Sequence, residues 1–143
     1  SIASQTGTGT TFAMSASPTF TGTVATAAQT TTGILYLNGG TAEEAVFSNG
    51  NSGTSKAISL DNGNLQSITI SGAVAITQTT PTHPGKYTLI VTQDGSGHVY
   101  SLSGVKWPGG VTPVYSTAAS KVDIFSIIYD GSNYYGASGI AFA

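Results

Sequence analysis

The sequence predicts an all-β protein: an antiparallel β-sandwich of jelly-roll or immunoglobulin-like type, preceded by an extended N-terminal segment. Three observations lead there. From Gly33 onward short apolar runs recur at intervals of about 8–12 residues, the rhythm of a sandwich or barrel. Between them stand Asn-Gly and Asp-Gly dipeptides, which accept positive φ at low cost and suit tight hairpins. No stretch sustains the i, i+3, i+4, i+7 apolar face of a helix.

The first element is the block 1–32, with 11 Thr and no charged residue. Its large apolar residues are Ile2, Phe12, Met14, Phe20 and Val24, too few to offset an ordering cost of about 1–2 kcal/mol per residue. Such a block is either a flexible linker or an extended arm ordered by winding against the same segment of sister chains. In the second case Phe12, Met14, Phe20 and Val24 are its intersubunit or attachment contacts. The β domain then spans 33–143.

Within it the strand candidates are Ile34–Leu37, Glu43–Phe47, Ala57–Leu60, Gln66–Ser71, Ala73–Thr77, Lys86–Gln93, His98–Leu102, Lys121–Tyr129 and Asn133–Ala141. The turns are Asn38-Gly39-Gly40, Asn49-Gly50, Asp61-Asn62-Gly63, Asp94-Gly95-Ser96-Gly97 and Asp130-Gly131-Ser132. Thr41-Ala42-Glu43-Glu44 has the form of a helix capping box, with room for a single turn at most. In Tyr87–Thr92 one face carries Tyr87, Leu89 and Val91 and the other Thr88, Ile90 and Thr92. Val122–Tyr129 is apolar on both faces, as in a strand covered on both sides, and one of those covers is expected to be another subunit. Two proline-restrained loops follow from Pro81-Thr82-His83-Pro84 and from Gly104 to Ser120, the latter long enough to have a task or its own packing.

Composition removes whole classes of function. Of 143 residues, 22 are Thr, 18 Ser and 19 Gly, and charged residues are only 7%. With 39% hydrophobic residues the chain is too apolar for simple disorder. It has no Arg and four Lys, so it lacks the clustered cations that nucleic-acid binding needs. No run approaches 18 apolar residues, so no membrane-spanning helix is expected. No basic stretch leads into an apolar one, so no signal peptide is expected. Cysteine is absent, which excludes disulfides and thiolate-bound metals.

Residues able to do chemistry are sparse. Glu43 and Glu44 are adjacent, and on a strand they would point to opposite faces, unable to flank one glycosidic bond. Asp123 stands in an apolar strand, where burial would raise its pKa, but such an Asp is more often structural, at an edge or hydrogen-bonded. His83 and His98 are isolated, and the serines lack a Gly-x-Ser-x-Gly elbow. Asp61-Asn62-Gly63-Asn64 lacks the remaining oxygen ligands of a calcium loop, and Gly7-Thr8-Gly9-Thr10 lacks the Lys of a phosphate loop. No enzyme, cofactor or metal is therefore expected. Recognition falls to amphipathic aromatics: Trp107, Tyr115, Tyr134 and Tyr135 are the candidate receptor or partner contacts. Trp107 beside Pro108 also suits a plug beneath the long loop.

Ala16–Val24, SPTFTGTV with its preceding Ala, resembles short elements in the shafts of tailed-bacteriophage tail fibres. KYTLIVTQDGSG (86–97), VKWPGG with Val111-Thr112-Pro113 (105–113) and KVDIFSIIYDGSNYYG (121–136) resemble the C-terminal β domain of fibre-like phage virion proteins, especially of marine and cyanobacterial phages. The family has Trp where this chain has Tyr134, and a first Trp-Pro element where it has Tyr100-Ser101-Leu102-Ser103. The resemblance implies a non-enzymatic virion structural protein, an extracellular homotrimer bound to other virion proteins of the tail or capsid. The alternatives it leaves are a module binding host-surface glycan and a capsid decoration protein.

Overall fold

The computed structural model describes residues 43–143, within a compact unit that runs from Thr41 to Ala143. The leader contacts Phe12, Met14, Phe20 and Val24, the strand candidate Ile34–Leu37 and the turn at Asn38 lie outside the described residues. About half of the described residues are in strands: β1 (Phe47–Asn51), β2 (Lys56–Ser59), β3 (Leu65–Ile70), β4 (Val74–Thr79), β5 (Gly85–Gln93), β6 (Tyr100–Leu102), β7 (Val105–Lys106), β8 (Val122–Tyr129) and β9 (Tyr134–Phe142). Two short 3-10 turns, Leu60–Asn62 and Pro108–Gly110, are the helical elements described. The fold is all-β.

Its topology departs from the antiparallel expectation. One sheet has the order β1-β3-β5-β8-β9-β7 and the other β2-β4-β6. β1, β3 and β5 pair in parallel, as do β2, β4 and β6. Consecutive strands thus alternate between the sheets, so sheet neighbours are two strands apart in sequence and run the same way. The chain winds as a coil of three turns, each giving one strand to each sheet. Phe47 lies beside Gln66 and Gln66 beside Leu89, so a turn of coil takes roughly twenty residues, as in solenoid repeats. A jelly-roll or immunoglobulin-like order, built from antiparallel neighbours, does not describe this part.

Antiparallel pairing enters at the end. β8 pairs antiparallel with both β5 and β9, and β7 runs parallel to β9 on the far edge. β7 leaves β6 in the direction a fourth turn of coil would take, and the β8–β9 hairpin occupies the space between it and β5.

The corners stack on one another. Ser52 donates its N–H to the Thr69 carbonyl at 2.8 Å and accepts the Ser71 N–H at 3.1 Å through its hydroxyl; Asp94 N–H reaches the Ile70 carbonyl at 3.1 Å. On the opposite corner Asp61 accepts the N–H and hydroxyl of Thr82, one turn of coil later, at 3.0 and 2.8 Å. Inward side chains of both sheets meet in one core, including Ile58, Ile76, Leu89, Phe125 and Ile127, all nearly inaccessible. Burying each such side chain contributes about 1.5–3 kcal/mol.

Strand alternation was read correctly where the apolar run was long. Tyr87, Leu89 and Val91 face the core, while Thr88, Ile90 and Thr92 face out. Elsewhere boundaries moved. Glu43 and Glu44 are exposed and precede β1, and Asn49-Gly50 lies inside β1 at a register shift instead of forming a hairpin. Gly50 has φ +67° there.

Candidate functional site

The sequence-selected aromatics divide between core and surface. Trp107, at the start of the second 3-10 turn, is 9% exposed. It joins Tyr100, Tyr115 and Phe125 in one cluster, with centroid separations of 4.9 Å for Tyr100–Tyr115, 5.6 Å for Tyr115–Phe125 and 5.8 Å for Trp107–Phe125. Tyr115 is half-buried, its ring held by this cluster. Tyr134 is half-buried and stacked on Tyr129 at 4.8 Å. Tyr135 alone of the four is well exposed, with Lys106 Nζ 5.8 Å from its ring centroid. The structure therefore brings Trp107 and Tyr115 together as packing, and leaves Tyr135 as the displayed ring.

Behind the cluster sits Asp123, 1% exposed. It accepts the hydroxyl of Tyr100, the N–H and hydroxyl of Ser116 at 2.8 and 2.6 Å, and the Ala141 N–H at 2.8 Å. Burial pulls its pKa upward, but the hydrogen bonds from Ala141, Ser116 and Tyr100 prevail and hold it below the ordinary carboxylate value. Burial, with Asp123 beside it, pushes the Tyr100 hydroxyl far up, so it stays protonated and donating. No histidine contacts Asp123: His98 pairs with Asp94 at 3.2 Å, and His83 is exposed on a corner.

Of the remaining low carboxylates, Asp94 and Asp130 serve their own turns and Asp61 ties its corner to the next one. Asp61 is held low chiefly by the Thr82 hydroxyl, Asp94 by the Ser96 N–H and Asp130 by the Asn133 N–H. Among the described residues no three His, Asp or Glu side chains gather as a metal site, and no helix is long and apolar enough to cross a membrane.

Two buried amides escaped the sequence reading. Gln66 Nε2 donates to the carbonyls of Ser59 and Gly63 at 2.8 and 2.9 Å, and its Oε1 accepts from Asn49 at 2.9 Å. Gln93 Nε2 donates to His98 and Ser116 carbonyls at 2.7 and 2.6 Å, and its Oε1 accepts the His98 N–H at 2.8 Å. The signal was present: each Gln falls on the inward parity of its strand, with Ile68 and Ile70 or with Leu89 and Val91.

Among the described residues, Ile124, Ile128, Tyr135 and Phe142 are exposed on the outer face of the six-stranded sheet. Ile90 lies directly opposite Ile124, and Ile128 stands between Lys86 and Tyr135. Phe142 packs over Gly139, where a Cβ would meet its ring at 2.9 Å. Ile124, Ser126, Ala137, Gly139 and Phe142 line a shallow cleft there. The outer face of the three-stranded sheet carries Ala57, Ala75, Thr77, Thr79 and Ser101 instead.

With this geometry in hand, comparison with protein families, with curated proteins and with solved structures found no match.

Proposed function

We propose that this chain is a structural component of a bacteriophage virion, an appendage or fibre-type protein that works as a homotrimer without catalysis. The observation carrying the reading is the contiguity of the segments that resemble phage fibre-like proteins. Residues 86–97, 105–113 and 121–136 include β5, β7, β8 and the start of β9, which are adjacent in the sheet order β5-β8-β9-β7.

Further support comes from the chemistry of the surface and the carboxylates. Each low-pKa carboxylate is engaged by backbone or hydroxyl donors of the fold itself. The polar surface is made largely of Ser, Thr and Gly, suited to an extracellular particle whose durability is kinetic and derives from burial between subunits. A second reading, recognition of host-surface glycan, rests on Tyr135, an exposed ring beside a cation.

Immuno-electron microscopy of the virion with an antibody raised against this chain tests the proposal. Label on tail or fibre structures is the expected result; label spread over the capsid would reassign the protein as a decoration component. Unlabelled particles, with the antibody binding free protein, would overturn the virion assignment.

A further inference from the structure

We propose that the outer face of the six-stranded sheet, centred on Ile124, Ile128 and Phe142, is the surface on which a second copy of this chain docks. The proposal rests on the self-assembly reading above and assigns it a place.

The two sheets of the coil supply an internal comparison. Both turn one face to the core and one face outward, yet their outer faces differ. On the three-stranded sheet the outward strand residues are small, Ala57, Ala75, Thr77, Thr79 and Ser101, with the exposed Val99 at the entry to β6. On the six-stranded sheet Ile124, Ile128, Tyr135 and Phe142 are 36%, 51%, 44% and 48% exposed. Strands with apolar residues on both sides belong to sheets covered on both sides.

Charge decides which partner fits. A charged face must meet its complement, and an identical face brings the same charges and repels. Along β3, β5, β8, β9 and β7 the outward side chains carry two charges, Lys86 and Lys106, at the two ends of the row Lys86–Ile128–Tyr135–Lys106. The patch from Ile124 to Phe142 can meet its own copy with no ionic group to desolvate, while the two lysines bracket the row of Ile128 and Tyr135. Its size is of the order that an interface needs. At about 4.8 Å between strands and about 3.3 Å per residue, four strands give on the order of 500 Å² in projection, before side-chain relief. One partner of a standard interface contributes about 800 Å² of accessible surface.

The interior helps to shape this face. Between β8 and β9 the register shifts: Ile124 pairs with Gly139 but Val122 pairs with Phe142. The bulged strand adopts φ +63° at Ala141, and the Ala141 N–H turns inward to Asp123. Phe142 is thereby brought back over Gly139, beside Ile124. Asp123 acts as a positioning residue for an outer-face ring that it does not touch.

Analytical ultracentrifugation of the full chain tests the proposal, using wild type, the double variant Ile124→Lys/Ile128→Lys, and the control Ala75→Lys/Thr77→Lys on the other outer face. The expected result is a multimeric wild type and control, with the double variant reduced to the mass of one chain while its circular dichroism stays β-type. A folded double variant that remains multimeric overturns the assigned face and leaves self-assembly standing; a monomeric wild type overturns both. Should the double variant fail to fold, Ile128→Cys serves, since the chain has no cysteine. A short bis-maleimide is expected to join its copies and not those of Thr77→Cys. The reverse pattern overturns the face.

Discussion

Asp123 joins parts of the chain far apart in sequence: Tyr100 at the start of β6, Ser116 in the long loop and Ala141 at the end of β9. Asp123→Asn would set an amide donor against donors already present. A loss of about 3 kcal/mol is expected from hydrogen bonds to a charged group, read from urea unfolding at neutral pH. The sign of the pH effect follows from the lowered folded pKa. The carboxylate's contribution is complete above its unfolded value, about 3.9, and is lost as pH falls through the folded value. The gap between wild type and Asp123→Asn should be flat from neutral to about pH 5 and close at lower pH; a gap that widened on acidification would contradict the account. Gly136 makes a second residue-level prediction. A Cβ there would come within 2.5 Å of the Trp107 ring, so Gly136→Ala should destabilise by about 1–3 kcal/mol through overpacking. Trp107 is the sole tryptophan, and its emission should shift with the displacement. An unchanged spectrum and stability would show that the ring is not seated there.

At the scale of elements, the sequence carries five turn signals; Asn38-Gly39-Gly40 lies outside the described residues, Asn49-Gly50 lies inside β1, and the meaning of the other three was only partly legible. Asp130-Gly131-Ser132 does close the β8–β9 hairpin, with Asp130 Oδ1 accepting the Ser132 and Asn133 N–H groups at 2.8 and 2.7 Å. Asp94 makes the same local bonds to Ser96 and Gly97 at 2.8 and 3.1 Å, yet its turn carries the chain from β5 into the other sheet. The chemistry that tightens a turn is local, and the next strand's destination is set by core packing. A hairpin and a coil corner therefore read alike. Inward and outward parity was legible in β5 because alternation persists over nine residues, whereas two-residue β7 left no pattern to find. The inward glutamines argue for their own test. Gln66→Leu nearly preserves volume but leaves the Ser59 and Gly63 carbonyls without their donor, so a loss of about 1–3 kcal/mol is expected in denaturant unfolding. A neutral substitution would show that water satisfies those carbonyls. Native-state hydrogen exchange should be slowest in β5 and β8, each flanked by strands on both sides, and fastest in β1 and β7 at the sheet edges. Equal protection across the sheet would contradict this order.

For the molecule as a whole, the all-β class was legible because Thr, Val and Ile in short runs allow little else, whereas parallel coiling was not, since parallel neighbours are contributed by residues about twenty positions apart with no matching motif. For the aromatics the ambiguity is of the same kind: Trp107 and Tyr115 are as suitable for a core as for a ligand, and the cluster with Phe125 holds both, Trp107 as the plug that its place beside Pro108 suits. What the sequence did mark was a strand apolar on both sides, and Ile124 and Ile128 are its exposed half. The account depends on that half being covered by copies of the same chain. Native mass spectrometry of the full chain addresses this directly. The account predicts a particle of three 14.4 kDa chains that persists on dilution, and a folded single chain at micromolar concentration would contradict it.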